Sequence, residues 1–386
     1  MRKKILTVAL TAFLCICFIS SAMALPSESD TDAFSLPAPS LSAKSAVLID
    51  ASSRSVLCEK NARERMGMAS TTKIMTALVA SEQGELDKAV SVSPLAVGVE
   101  GSSIYLYAGE RLTLRDLLCA MLLESANDAA AAIAIEIGGS VEGFCDMMNE
   151  KAAELGLCDT HFTNPHGLYD DAHYTTAYDL AVITAAALEN DTVREIVATK
   201  KMTLTPTDGN ARVLYNHNKM LSRYEGAIGV KTGFTKKTGR CLVSAAERDG
   251  LRLVAVTLNA SDDWNDHTRL LDMGFENFCR VQLLKKGDVC YMQPIIGGED
   301  EQLSLISCET LYATLPKSTD VQKLTQVVET YNRYAFAPIS AGCISGKALY
   351  YFDGQLVASA PIAAARTVEK AAGKKSFFEH IKDIFT

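Results

Sequence analysis

The sequence predicts an α/β domain, one antiparallel sheet flanked by helices, followed by a small all-β domain. Three observations predict it. Short β-prone runs near residues 46–59 and 240–259 bracket a long stretch of helical periodicity, so both ends of one domain build the sheet and the middle packs on it. From about residue 281 the texture changes to short apolar runs separated by turns, which reads as a second β unit. The 386 residues, 48% hydrophobic and 22% charged, suit two globular cores better than a disordered chain.

The chain begins with Arg2, Lys3 and Lys4, an apolar run from Ile5 to Ile19, and Ala22-Met23-Ala24. This is the layout of a signal peptide over 1–24, cleaved after Ala24; a membrane anchor is the competing reading, disfavoured by the short apolar core. Residues 25–42 are rich in Ser, Pro and Asp and are expected to form a disordered leader. The first folded domain is expected over 43–278.

Within that domain, Ala46–Asp50 and Ser55–Glu59 read as a hairpin. Helices are expected at Ser70–Gln83, Leu114–Leu123, Asp128–Ile137, Val141–Leu155 and Tyr178–Leu188, with stop signals at Gly84, Gly138-Gly139 and Gly156. Arg240–Glu247 and Arg252–Asn259 form the late hairpin. In the second domain, expected over 281–364, Ala348–Phe352 and Gln355–Ala360 flank Asp353-Gly354, a strong hairpin signal. The tail, 366–386, places Phe377, Phe378, Ile381, Ile384 and Phe385 on one stripe of a helix. Such a stripe suits a membrane surface, with packing on the protein itself as the alternative.

The formal charge of −8 argues against a nucleic-acid partner. Eleven cysteines become nine once Cys15 and Cys17 leave with the signal. Their irregular spacing matches no metal motif and reads as free thiols, and no cofactor is implied.

Three short elements carry the chemistry. Ser70-Thr71-Thr72-Lys73 opens a helix; positions i and i+3 share a face, so the Lys73 amine can activate the Ser70 hydroxyl once desolvation or a nearby cation lowers its pKa. Alone it is weak, since about one or two S-x-x-K matches arise by chance in such a chain. Ser125-Ala126-Asn127 is a polar element at a helix junction, offering a hydroxyl relay and an amide with both donor and acceptor. Lys231-Thr232-Gly233, followed by Phe234, would present a cation and a hydroxyl from a strand edge, and its glycine permits close backbone approach.

In this order the trio is the signature set of penicillin-binding proteins and class A β-lactamases. The chain resembles the D-alanyl-D-alanine carboxypeptidases, the low-molecular-mass penicillin-binding proteins of peptidase family S11, from about Ala43 to Phe278. The resemblance includes Met68–Thr76, His161–Leu168 and Gly229–Thr235. It implies a β-lactamase/transpeptidase-like fold and a serine-type carboxypeptidase that removes the terminal D-alanine of peptidoglycan stem peptides through an acyl-enzyme on Ser70. Lys73 would be the general base, Ser125 a proton relay, and the backbone N–H groups of Ser70 and Phe234 the oxyanion hole. Asn127, Lys231, Thr232, Gly233 and Phe234 would bind substrate, with β-lactam antibiotics as inhibitors. Some relatives have a histidine after K-T-G and a basic residue near the late hairpin; this chain has Phe234 and Ser261–His267, which contains no Lys or Arg. A β-lactamase on the same scaffold and a non-catalytic cell-wall peptide-binding protein are the alternatives. The protein is expected outside the cytoplasm, peripheral to the membrane or in the cell wall.

Overall fold

The computed structural model describes residues 34–205 and 211–371. The expected signal peptide, the leader to residue 33 and the tail beyond 371 lie outside the described residues. The first domain is centred on a six-stranded sheet in the order Leu36–Pro37, Val56–Lys60, Ser45–Asp50, Leu251–Ala260, Gly239–Arg248, Ala227–Thr235. Neighbours run antiparallel except the first pair. Both expected hairpins are present. Their inner strands pair at the centre, with Val47 opposite Val256 and Ile49 opposite Val254.

Alternation along these strands sends Val47, Ile49, Val254 and Val256 into the core cluster shared with the helices, and Ala46, Leu48, Leu253 and Ala255 into a second cluster on the other face. Both faces are therefore covered. Burying each Val, Leu or Ile of this kind contributes about 1.5–3 kcal/mol. The first face meets helices Lys73–Gln83, Leu114–Leu123, Asn127–Gly138, Val141–Glu154 and Ala177–Glu189, within a residue of the expected spans except that the first starts at Lys73 and not at Ser70. A capping box between Thr113 and Asp116 starts the second of these, and Gly139, with φ 73°, stops the third.

Besides the single turn Met220–Arg223, two helices were not foreseen, Asp191–Ala198 and Asp263–Asn277. The latter packs Leu270 and Leu271 on the second sheet face, yet its buried side also holds Asp266 and His267, so its sequence reads polar. Residues 34–42 correct the expectation of a disordered leader. Leu36–Pro37 adds a short edge strand beside Val56–Lys60, and Leu41 is buried. The buried Asp266 carboxylate accepts from the Ser42 hydroxyl at 2.7 Å and from the backbone N–H groups of Ser42 and Ala43 at 3.0 Å. A charge buried there has to be paired; Arg269 lies 3.2 Å from it, and residues 42 and 43 supply the other donors.

The second domain is built on a sheet ordered Thr325–Thr330, Ile344–Phe352, Gln355–Ala364, Gln302–Ser307, Val289–Ile296, Ala335–Phe336. Strand pairing in this region begins at Phe278, in a ribbon of Phe278–Leu284 with Leu311–Pro316. Asp353 and Gly354 have φ of 48° and 82°, as a type I′ turn requires. Residues 366–371 are extended instead of helical: Val368 is buried and bridges Ile339, and Lys370 bridges Gly298. Among the described residues no helix is long and apolar enough to cross a membrane.

Candidate active site

The Ser70 motif is held by local strain and a hydrogen-bond chain. Ala69–Thr72 forms one 3-10 turn that runs into helix Lys73–Gln83. Ala69 lies at φ 48°, a left-handed conformation costing a non-glycine residue about 1–2 kcal/mol. Its carbonyl accepts from the Thr72 hydroxyl at 2.8 Å, and Thr72 lies 2.8 Å from His173 Nε2. The Thr163 N–H donates to His173 Nδ1 at 3.1 Å, so the ring is neutral with its proton on Nε2. Burial, the main cause, holds the His173 pKa down at about 4, which agrees with that state. Gly167 is required beneath this turn: a Cβ there would lie 1.9 Å from the Ala69 carbonyl oxygen, and its φ is +89°.

Lys73 is fully buried. Its Nζ lies 3.1 Å from Ser70 Oγ, 2.7 Å from Asn127 Oδ1 and 2.6 Å from the His166 carbonyl oxygen. Burial first, and then the positive charge of Lys231, holds the amine well below the usual lysine range, opposed by Asp128. A neutral amine has two hydrogens and one lone pair. With Asn127 and His166 accepting the hydrogens, the lone pair is left for the Ser70 hydroxyl, the arrangement a general base requires.

Lys231 sits on edge strand Ala227–Thr235, 2% exposed, with Nζ donating to the Thr232 carbonyl at 3.0 Å. Burial lowers its pKa to about 7. The strand passes so close to the nucleophile turn that a Cβ on Gly233 would lie 2.9 Å from the Ser70 nitrogen and 3.1 Å from the Thr71 nitrogen. The approach expected of the K-T-G glycine is therefore present. It brings the Gly233–Phe234 backbone beside the Ser70 N–H, where two donors can face one oxyanion.

Ser125 lies between helices Leu114–Leu123 and Asn127–Gly138, at φ 61°. A cavity of about 620 Å³ is lined by Ser70, Ser125, Thr232, Gly233 and Phe234. Lys73, Asn127 and Lys231 do not line it. Asn127 was expected to hold both the substrate backbone and the Lys73 amine; its carbonyl does accept from Lys73, and its amide donates to the Glu100 carbonyl at 2.5 Å. Its contacts position the base.

The cavity also reveals Arg240, Asp263 and Trp264, which the sequence did not single out. Arg240 is the cross-strand partner of Phe234, so counting outward from the Lys236–Thr238 turn would have placed it there. His217 also lines the cavity and lies 3.2 Å from Glu124. His161 is exposed and hydrogen-bonds the Ala172 carbonyl away from Lys73. All nine cysteines of the described residues are free thiols. Burial pushes Cys58 and Cys119 up to about 12 and Cys145 and Cys241 up to about 11, which leaves them unreactive.

Known proteins share this arrangement of chain and fold. A family model described as D-alanyl-D-alanine carboxypeptidase, peptidase S11, matches residues 32–262, and one described as the C-terminal domain of penicillin-binding protein 5 matches residues 278–370. The D-alanyl-D-alanine carboxypeptidase DacF of Bacillus subtilis is 32% identical over 378 residues, 96% of this chain and 95% of that protein. The crystal structure of penicillin-binding protein 5 from Haemophilus influenzae superposes with a TM-score of 0.74 at 29% identity, covering 86% of this chain and 99% of that one. A mutant of the Streptomyces K15 DD-transpeptidase gives 0.59 at 34% identity, over 62% of this chain and 99% of its own. With the S11 model spanning more than half of its residues and DacF matched nearly end to end, the chain belongs to the D-alanyl-D-alanine carboxypeptidase family, peptidase S11.

Proposed function

We propose that this protein is a serine-type D-alanyl-D-alanine carboxypeptidase, removing the terminal D-alanine from peptidoglycan stem pentapeptides and binding penicillins at the same serine. The observation that carries the reading is the buried Lys73 amine, 3.1 Å from Ser70 Oγ and within reach of two other acceptors, Asn127 Oδ1 at 2.7 Å and the His166 carbonyl at 2.6 Å. Lys73 takes the Ser70 proton as Oγ attacks the carbonyl between the two D-alanines. The oxyanion is held by the backbone N–H groups of Ser70 and Phe234. Ser125 relays that proton from Lys73 to the departing D-alanine nitrogen, and the C–N bond breaks to leave an ester on Ser70 and a neutral Lys73. Water, deprotonated by Lys73, hydrolyses that ester and restores the hydroxyl.

Lys231 supplies positive potential beneath the floor, Thr232 binds the substrate's carboxylate, Gly233 allows the close approach, and Asn127 positions Lys73. A β-lactam presents a carbonyl and a carboxylate in similar relation and acylates the same serine. Export is by residues 1–24, to the outer face of the membrane or the wall. The tail expected over 366–386, most of it beyond the described residues, holds the protein at the membrane surface.

Ser70→Ala should release no D-alanine from a peptide ending in D-Ala-D-Ala while binding it still. Labelled penicillin separates the nearest rival: a long-lived adduct accompanies the carboxypeptidase, and rapid turnover of the drug would assign the scaffold to a β-lactamase instead. Peptide binding by the unmutated protein without D-alanine release at any pH would make it a binding protein.

A further inference from the structure

We propose that Arg240, anchored by Asp263 and Trp264, binds the carboxylate at the end of the substrate peptide together with Thr232. This rests on the carboxypeptidase reading and names the cation its anionic subsite uses. Arg240 and Thr232 line the same cavity as Ser70. In the antiparallel register Arg240 faces Phe234 and Leu242 faces Thr232, so Arg240 is the diagonal neighbour of Thr232 on the adjacent strand. Diagonal pairs lie about 7–8 Å apart, within reach of an arginine side chain.

The guanidinium is fixed in place. Its Nε donates to Asp263 Oδ2 at 3.0 Å and its Nη2 to Asp263 Oδ1 at 2.8 Å, and Trp264 stands 6.0 Å from the guanidinium carbon. Asp263 is itself held, accepting from the Trp264 N–H at 3.0 Å, and its side chain is only 4% exposed against 44% for Arg240. One edge of the fork is thus occupied by the anchor. Nη1 has no partner among the described residues and is left as a planar donor for a carboxylate.

Lys231 cannot fill this role alone. It is buried, does not line the cavity, and titrates near neutrality, whereas an arginine keeps its charge at every working pH. Lys219, the other exposed cation of the cavity wall, belongs with Asn216 and His217 on a different segment.

The test compares the free acid with its C-terminal amide. Release of the last residue is followed from a peptide ending in D-Ala-D-Ala and from its amide, and Ser70 acylation from benzylpenicillin and from its methyl ester. The unmutated protein should prefer the acid in both pairs. In Arg240→Ala, KM for the free acid should rise by about ten- to a hundredfold, the loss expected for one charge-assisted hydrogen bond, with a smaller change in kcat and with the preference for acid over amide largely gone. Arg240→Lys should recover part of that preference, and melting curves check that each variant folds. An acid preference that survives in folded Arg240→Ala would reduce the Arg240–Asp263 pair to a structural one and overturn the proposal. Loss of the preference in Lys219→Ala alone would overturn it too. If the unmutated protein releases no D-alanine, the carboxypeptidase reading fails; the penicillin pair then decides the role of Arg240 independently.

Discussion

Lys73 and Ser70 show how much chemistry three residues of spacing can encode. The i, i+3 relation on a helix puts amine and hydroxyl on one face, and the structure has them at 3.1 Å. The same spacing says nothing about what neutralises the lysine; that depends on burial and on Lys231, more than 150 positions away in the chain. A consequence can be measured. The charge on Lys231 pushes the Lys73 pKa down, so Lys231→Ala should raise it and move the acid limb of kcat/KM to higher pH. An acid limb that stays put or moves to lower pH would remove Lys73 from the role of base. Arg240 was missed for a related reason: its pairing with Phe234 follows from the adjacent turn, but its anchor depends on a helix starting at Asp263, which is not local to its own sequence. His173 likewise reaches Ala69 only through Thr72, a link that no spacing in the chain records.

At the level of elements, the edge strand Ala227–Thr235 and the nucleophile turn depend on one missing side chain. A methyl group on Gly233 would crowd the Ser70 and Thr71 nitrogens at 2.9 and 3.1 Å, and the edge strand would have to move outward. Gly233→Ala should therefore fold and bind peptide, while the acylation rate of Ser70 falls by about a hundredfold, the cost of spoiling an oxyanion hole. Stopped-flow acylation by a chromogenic β-lactam measures this, and an unchanged rate would contradict the proposed hole. The helices with clean apolar stripes were legible because Gly84 and Gly139 punctuate them and their buried faces are hydrocarbon. Asp263–Asn277 was not, because Asp266 and His267 occupy its buried face and two aspartates stand in its first turn with a third at its N-cap. Residues 34–42 misled for the opposite reason, since a Ser- and Pro-rich segment can still order when a buried carboxylate requires its N–H groups.

Across the whole molecule, two sheets are joined by a modest set of contacts. Thr314 donates to Asp50 at 2.8 Å, the Lys317 N–H to the Asn277 carbonyl at 2.8 Å, and Arg280 to the Gly250 carbonyl at 3.0 Å. The order of the two domains was legible from the change of texture near residue 281, but their mode of attachment was not. The end of the second domain also fixes where a truncation should fall. Val368 is buried and Lys370 is bridged, so a stop after Ala371 removes the rest of the tail without opening the β domain. That variant should lose sedimentation with anionic liposomes while retaining its rate on soluble peptide; unchanged sedimentation would refute the anchor. The central claim is an acyl-enzyme on Ser70, and mass spectrometry of the intact protein mixed with a peptide ending in D-Ala-D-Ala tests it most directly. The account predicts free D-alanine, a peptide shortened by one residue, and a transient adduct that maps to Ser70 and is absent in Ser70→Ala. D-Alanine release that persists in Ser70→Ala, or an adduct on any other residue, would contradict it.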